Sequence, residues 1–487
     1  MSVDAVVVGS GASGAWMART LAEGGARVLL LEAGPLFPGD HRVDRTSHLS
    51  RHQPVQSRSS AYEPANSHLF VDDLAHPYET ADDTPFDWFR GRQVGGRLLL
   101  WAGVCPRMTD RQLSGEGTGR RWPIRLTDLA PHYQRVEQFM RVTATSPTRA
   151  EARLAAAVSA RWPGRRVLPA PTATTAAGSI LAAALRTGRV QLRPEALVSH
   201  LEMAPGESRA RAVVFVDTAT GTTHRQEAAV IALCASTVET VRILLNTRTG
   251  GSPDGLGNEH DQLGRHLLDH VAGAAVAGVA QRGTPGPRPT ERDGFVPVCL
   301  IPDFGGGYGV TLFAPDRLPA SSRSAAWAAS HPGCTPFRMW AAGEVLPSAD
   351  NRITLSDRVD AFGVPVPRLR LAHGPRERDM VARQVADMTA MAAEAGFETL
   401  ETSGSVLPPG SSVHELGGAA MGEDPRTSVV DRLNRLWAAP NVVVGDGASF
   451  ATSGWQQPTL TIMALAARAA SELRAQARRG EPVGAGR

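Results

Sequence analysis

A two-lobed α/β fold, one lobe built on a parallel sheet and the other on an antiparallel sheet, is predicted by three features of the sequence. A strand–turn–helix–strand pattern opens the chain. Short β-like runs punctuated by Gly and Pro fill the span from about Val271 to Leu371, and apolar strands alternate with helices again on either side of that span. At 487 residues the chain exceeds the size at which one hydrophobic core stops growing, so two lobes or a large composite domain are expected.

Taken in order, Asp4 to Val8 reads as a buried strand, Gly9 to Gly14 as a tight turn, Ala15 to Glu23 as a helix and Arg27 to Glu32 as a second buried strand. Periodicity is then lost from Pro35 to about Asp87 among Ser, His, Pro and Asp, which predicts a surface excursion or lid without assignable secondary structure. In Trp122 to Val142 the residues Leu126, Leu129, Tyr133, Val136 and Phe139 recur at helical spacing. Arg186 to Ala229 reads as short strands with a hairpin at Thr220-Gly221, followed by an apolar strand to Cys234 and a helix from Val238 to Asn246. Asn351 to Leu355 and Val366 to Leu371 are strand-like; Glu377 to Ala395 is a helix, Asn441 to Val444 a strand, and Thr459 to about Ala477 a final helix. The polar, Gly/Pro-rich end reads as a disordered tail.

Composition excludes several classes. Charged residues are 20% and the formal net charge is +3, so no nucleic-acid-binding surface is expected. The sequence contains no lysine, which rules out a Schiff-base lysine, a PLP anchor and a P-loop lysine; any phosphate must be held by backbone N–H groups, helix termini or arginine. Cys105, Cys234, Cys299 and Cys334 are scattered, with no metal-ligand spacing, so neither a metal centre nor a redox disulfide is expected. A strand-like run starts at Asp4 and no apolar stretch is of membrane length, so no membrane insertion and a cytoplasmic location are expected.

Gly9, Gly11 and Gly14 form GSGASG directly between a strand and a helix, where bare backbone can approach a pyrophosphate aimed at the helix N-terminus. Glu32 ends the second strand, 18 residues after Gly14, where its carboxylate can accept hydrogen bonds from adenosine ribose hydroxyls and would repel a 2′-phosphate. This is a Rossmann-type fingerprint for FAD or NAD rather than NADP, and it does not separate those two.

Three further segments carry the distinction. The first is Gly91-Arg92-Gln93-Val94-Gly95-Gly96-Arg97, leading into Leu98 to Gly103; the second is His414-Glu415-Leu416-Gly417-Gly418-Ala419-Ala420-Met421-Gly422; the third is Asn441 to Ser449 followed by Gln457-Pro458-Thr459-Leu460-Thr461-Ile462. Weaker echoes lie at Trp122-Pro123, Gly343 to Pro347 and Asp357 to Pro365. In order and spacing the chain resembles the glucose-methanol-choline flavoenzymes, and the resemblance reaches both ends and most of the middle.

That resemblance implies a Rossmann-type FAD-binding domain with an antiparallel-sheet substrate domain, discontinuous in sequence. The expected parts are 1–38, 88–110, 186–270 and 400–477 for FAD binding, 111–185 and 271–399 for substrate, 39–87 as the excursion or lid, and 478–487 as the tail. FAD is the implied cofactor, without covalent attachment, since no histidine stands near Gly95-Gly96 to link it. The Gly95-Gly96 loop would follow the flavin pyrophosphate, Arg97 would offset its charge, Asp446 would bind the ribityl-diphosphate portion, and the helix opened by Pro458 would aim its N-terminus at the flavin pyrimidine edge. Ser13, Ala33, Arg92, Trp101, Val198, Gly447, Gln457 and Thr459 complete the implied cofactor contacts. Trp101 reads equally as a flank to the ring or a core residue.

The implied reaction is oxidation of an alcohol-type CH–OH group by hydride transfer to flavin N5, with oxygen or another acceptor reoxidising the cofactor. Such a reaction needs a base for the hydroxyl proton, and His414 is the candidate because neutral imidazole accepts a proton near working pH. The family places Asn or His before the proline of the last helix, and this chain has Gln457, one methylene longer than Asn. That departure, together with Trp455 and Leu98, leaves open the substrate, a secondary alcohol, polyol, sugar or hydroxylated natural product. It also admits a flavin-containing lyase or another non-redox enzyme as the alternative, and a cofactor-binding protein without catalysis as a third class. Glu415 reads as an orienting carboxylate or as a solvated or capping one.

Overall fold

The computed structural model describes residues 3–37, 69–71, 73–144, 147, 149–176, 178–206, 208–281, 299–302, 307–313, 323–331 and 333–479. The first lobe is organised by strand β1 (Ala5–Val8), helix α1 (Ala12–Glu23) and strand β2 (Val28–Leu31). Every residue of β1 and β2 is buried, as expected for parallel strands covered on both faces. They lie in a six-stranded sheet whose order is Arg435–Leu436, Ala439–Val444, Val230–Leu233, β1, β2, Val190–Arg193; all pairs are parallel except the first. Trp16 and Met17 from α1 share the core over this sheet with Leu460, Met463 and Leu465 of the C-terminal helix Thr459–Arg478. A separate antiparallel meander, Ala196–Met203, Ala210–Asp217 and Thr223–Glu227, contains the hairpin expected at Thr220-Gly221.

The second lobe has its own core. A seven-stranded sheet includes Glu398–Gly404, Ala274–Gln281, Cys334–Glu344, Tyr308–Phe313, Cys299–Ile301 and Leu168–Pro169 in that order, with His270–Val271 pairing antiparallel to the end of Cys334–Glu344. The helix Pro375–Glu394 buries Met380, Val381, Met388 and Met391 in the core of this lobe, together with Leu154 and Val158 of Arg149–Arg161. The two-lobed α/β class expected from the sequence is therefore the observed one.

Several expectations need correction. Helix α1 begins at Ala12, inside the segment read as a turn, because the Ala15 N–H already closes the first turn onto the Gly11 carbonyl at 3.0 Å. Residues 111–185 do not stay together. Leu129, Tyr133, Val136 and Met140 of helix Leu126–Met140 join the first core, whereas Leu154 and Val158 join the second. An amphipathic helix declares which face is buried but not which lobe covers it. Ile353 and Leu369, from the pair Arg352–Val359 and Pro365–Arg370, also pack into the first core. The described part of 39–87 is built into the molecule: Glu79–Thr80 pairs in parallel with Pro365–Arg370, Asp73 is fully buried against Arg90, and Tyr78 and Phe86 are core residues. The rest of that segment, residues 38–68 and 72, and most of the tail, 480–487, lie outside the described residues. Among the described residues no helix is long and apolar enough to cross a membrane, and no group of three His, Cys, Asp or Glu side chains could hold a metal ion.

Candidate functional site

A cavity of about 430 Å³ opens between the elements named in the sequence, and its wall includes Glu32, Gly9, Gly11, Gly96, Asp446, His414 and Gln457. Ser13, Ala33, Arg92, Arg97, Trp101, Val198, Gly447, Pro458 and Thr459 also line it. Of the residues expected to bind the cofactor or act on substrate, Gly14 and Gly95 lie behind the wall and serve through close packing. A Cβ on Gly14 would sit 1.7 Å from the carbonyl oxygen of Gly9, so the helix can start this tightly only on glycine.

Glu32, just after β2, is held by donors from the glycine loop and from its own turn. Its Oε2 accepts from the Ser10 N–H at 2.9 Å and the Ser10 hydroxyl at 2.6 Å, and its Oε1 accepts from the Gly34 N–H at 3.0 Å. Burial pushes the Glu32 carboxyl above its usual range, against the pull of these donors. Ser10, which sequence reasoning passed over, also joins the two glycine loops, because its Oγ accepts from the Gly95 N–H at 2.9 Å. The loops meet on bare backbone: a Cβ on Gly96 would lie 2.9 Å from Gly11 Cα.

Arg92 and Arg97 are each held by side chains of the fold. Arg92 is buried in a charge network, paired with Glu239 at 3.0 Å and contacting His76 Nδ1 at 2.7 Å; Glu239 in turn meets Arg242, which pairs with Asp360. Arg97 reaches across the cavity wall to Glu415 at 2.7 Å, and donates to the Val413 carbonyl at 3.2 Å and Ser236 Oγ at 3.3 Å. Glu415 is accordingly a fully buried ion-pair partner, neither solvated nor capping a helix. Asp446 accepts from Thr240 Oγ1 at 2.6 Å and the Ala448 N–H at 3.0 Å, and burial pushes its carboxyl up to about 6.

His414 follows Val413, a β-branched residue at φ +60°, a left-handed conformation that costs on the order of 1–3 kcal/mol. The Gly410 carbonyl, accepting from Val413 N–H at 3.0 Å, and the Arg97 contact hold that turn. His414 Nδ1 lies 2.8 Å from Nδ1 of His270, a residue with no marker in the sequence beyond a polar pair, Asp269-His270, set in an apolar run. Burial, then His270 and Arg97, hold the His414 imidazole well below the usual histidine range, so it is neutral at pH 7. Asp269 accepts from Ser412 Oγ and from the Gly410 N–H at 2.6 Å; burial, then the Glu415 charge, push its carboxyl up to about 7.

Gln457 Oε1 is buried without a hydrogen-bond partner among the described residues, on a side chain that lines the cavity. Trp455 does not line it; its ring packs on Gly309, where a Cβ would lie 2.2 Å from Trp455 Cε3. Pro458 is the residue before the first turn of the last helix rather than its first residue, and with Thr459 it brings that N-terminus to the cavity. A wall that gathers two bare glycine loops, the Glu32 carboxylate and the N-terminus of the last helix fits a flavin dinucleotide.

Comparison with known proteins agrees. Residues 4–308 match the family described as FAD dependent oxidoreductase, and residues 347–466 match GMC oxidoreductase. The chain is 28% identical to a 2-methyl-1,2-propanediol dehydrogenase from Mycolicibacterium austroafricanum, over 96% of this chain and 94% of that protein. It is 27% identical to a 6'''-hydroxyparomomycin C oxidase from Streptomyces lividus (96% and 90%), and 26% identical to the fructose dehydrogenase large subunit of Gluconobacter japonicus (97% and 98%). A crystal structure of pyridoxine 4-oxidase from Mesorbium loti shares the fold, with a TM-score of 0.68 at 16% identity over 97% of this chain and 99% of that one. With more than half its length matched by the first family, the chain belongs to the FAD dependent oxidoreductases, and its C-terminal part, residues 347–466, matches GMC oxidoreductase.

Proposed function

We propose that the enzyme oxidises an alcohol-type CH–OH group with His414 as the base for the hydroxyl proton and Gln457 as the second polar contact to the reacting oxygen. The observation that carries this reading is the placement of a neutral imidazole and an unsatisfied amide oxygen on the wall of the cavity that also holds both glycine loops. Bound FAD supplies the two-electron acceptor for the carbon-bound hydrogen. Glu32, Ser13, Val198, Asp446, Gly96 and the N-terminus of Thr459–Arg478 would hold the cofactor, and Arg97 would brace the turn that carries His414.

The chain's own work is then acid–base and positional. His414 accepts the hydroxyl proton as negative charge develops on oxygen, and the Gln457 amide, turned to present its N–H, stabilises that charge. Leu98, Trp101 and Ile462 keep water from the same wall. The dehydrogenases and oxidases cited above are consistent with an alcohol, polyol or sugar substrate, and none of them bears a lyase name, so nothing favours the lyase reading. The electron acceptor in this reading is oxygen or another acceptor. Four free cysteines, three of them buried, support a reducing, cytoplasmic setting.

Anaerobic mixing with a panel of diols, sugars and amino sugars tests the reading. Loss of flavin absorbance with a stoichiometric carbonyl product is expected. Carbon–carbon cleavage or elimination without flavin bleaching would overturn it.

A further inference from the structure

We infer that His270 is a positioning residue for this oxidation: it accepts a hydrogen bond from His414 Nδ1 and thereby leaves Nε2 of His414 as the nitrogen with a free lone pair. The inference rests on the reading of His414 as the base. Two imidazole nitrogens 2.8 Å apart cannot both present lone pairs, so one donates and the other accepts. The rings meet edge to face, with centroids 4.9 Å apart and planes at 81°. If His270 donated, the His414 proton would sit on Nε2 and that nitrogen could take none from an alcohol.

The base role decides between the two arrangements, since only a His414 proton on Nδ1 leaves Nε2 bare. The His270 ring is buried, and its Nε2 has no hydrogen-bond partner among the described residues. The nearby backbone carbonyls of Ser453 and Gly454 only accept, and so favour a proton on that nitrogen. Despite those carbonyls, burial lowers the His270 imidazole to about 4, so it is neutral at working pH. Asp269, next to it, turns its oxygens to Ser412 Oγ and the Gly410 N–H. The nearby charges Arg97 and Glu415 are paired with each other on the His414 side.

The two histidines also differ in what holds them. His270 lies on a strand residue paired with Glu344, and Glu344 Oε1 accepts from the Gly454 N–H at 3.2 Å, so ring and carbonyls share one support. His414 sits on a turn with a strained Val413. An acceptor held on a strand behind the base fixes both its tautomer and its direction, the role that a carboxylate fills in hydrolytic triads.

The test uses the FAD-loaded enzyme with His270→Leu, which removes the acceptor, and His270→Asn, whose Oδ1 stands near the Nδ1 position. Flavin reduction at saturating alcohol should slow by about 10- to 100-fold in the Leu variant, less than the roughly 10⁴-fold of a lost triad carboxylate because this acceptor is uncharged. His270→Asn should recover most of that loss. Independently of turnover, ¹⁵N-histidine NMR of the wild-type protein, assigned with His414→Asn, should show His414 protonated at Nδ1 and bare at Nε2. Equal reduction rates for wild type and His270→Leu, or a His414 proton on Nε2, would overturn the inference. If His270→Leu fails to hold FAD, the wild-type spectrum and the Asn variant decide in the same terms. An unchanged rate in His414→Ala would overturn the base assignment itself; a slow His414→Ala beside an unchanged His270→Leu would overturn the positioning role alone.

Discussion

Replacing Gln457 by Leu separates stability from chemistry. The Gln457 Oε1 is buried with no partner among the described residues, so the folded state carries a desolvated oxygen of the kind that costs about 1–3 kcal/mol. Leu is close in volume and removes that oxygen, so the variant should melt no lower than wild type, and up to several degrees higher. In the reaction the same amide meets the substrate oxygen. Losing one neutral hydrogen bond there removes roughly 1–3 kcal/mol of transition-state stabilisation, or about 5- to 150-fold in rate. Gln457→Asn draws the amide back by one methylene and should retain part of the rate. The assay is anaerobic rapid mixing, with FAD content and melting temperature measured on the same preparations. Equal reduction rates for wild type and Gln457→Leu, with FAD bound in both, would refute the contact; a lower melting temperature would refute the claim that the oxygen is unsatisfied.

Three further outcomes follow from the buried charges. Arg97→Leu strands the Glu415 carboxylate, whose side chain is fully buried, and should cost about 3 kcal/mol, at the low end for a broken buried pair because Arg97 itself is 28% exposed. Arg97→Leu/Glu415→Gln should regain part of the lost melting temperature, and no regain would show that the pair is not coupled. Asp269 has its folded carboxyl raised to about 7 from 3.8, so wild-type stability should fall as pH rises through that window; Asp269→Asn, which cannot ionise, should gain on wild type between pH 5 and pH 8 in thermal melts. A parallel pH response of the two proteins would contradict this. The His414 imidazole is held well below 6.5 and acts in its neutral form, so flavin reduction should stay level from pH 8 down to pH 6.5 and fall only in more acid solution, as rapid mixing across that range would show.

The sequence makes the cofactor cradle legible because its demands are local. Gly9, Gly11, Gly14 and Glu32 stand at fixed offsets within one strand–helix–strand unit, and each is dictated by backbone approach or ribose hydroxyls. His414 was named from a short motif and Gln457 from a departure within one, and both line the cavity. What stayed hidden depends on long-range pairing. His270 is 144 positions from His414 and meets it only because its strand adds to the end of Cys334–Glu344. Arg97 was read for its charge near a diphosphate, but its partner, Glu415, lies on a turn that a spacing argument cannot bring to it. Trp455 was read as a departure bearing on the substrate, and its place was decided by a glycine on the other lobe, Gly309. The lobe boundaries failed for the same reason: the stripe Leu129, Tyr133, Val136 gives a buried face without naming its cover.

The central claim is that His414 removes the hydroxyl proton, and the most direct measurement is the anaerobic rate of flavin reduction in His414→Ala carrying a full complement of FAD. The account predicts reduction slower than wild type by about 100- to 10,000-fold at pH 7, the range for loss of a general base, with the residual rate climbing as pH is raised and solvent takes over the proton. A wild-type rate in that variant, with FAD bound, would contradict it.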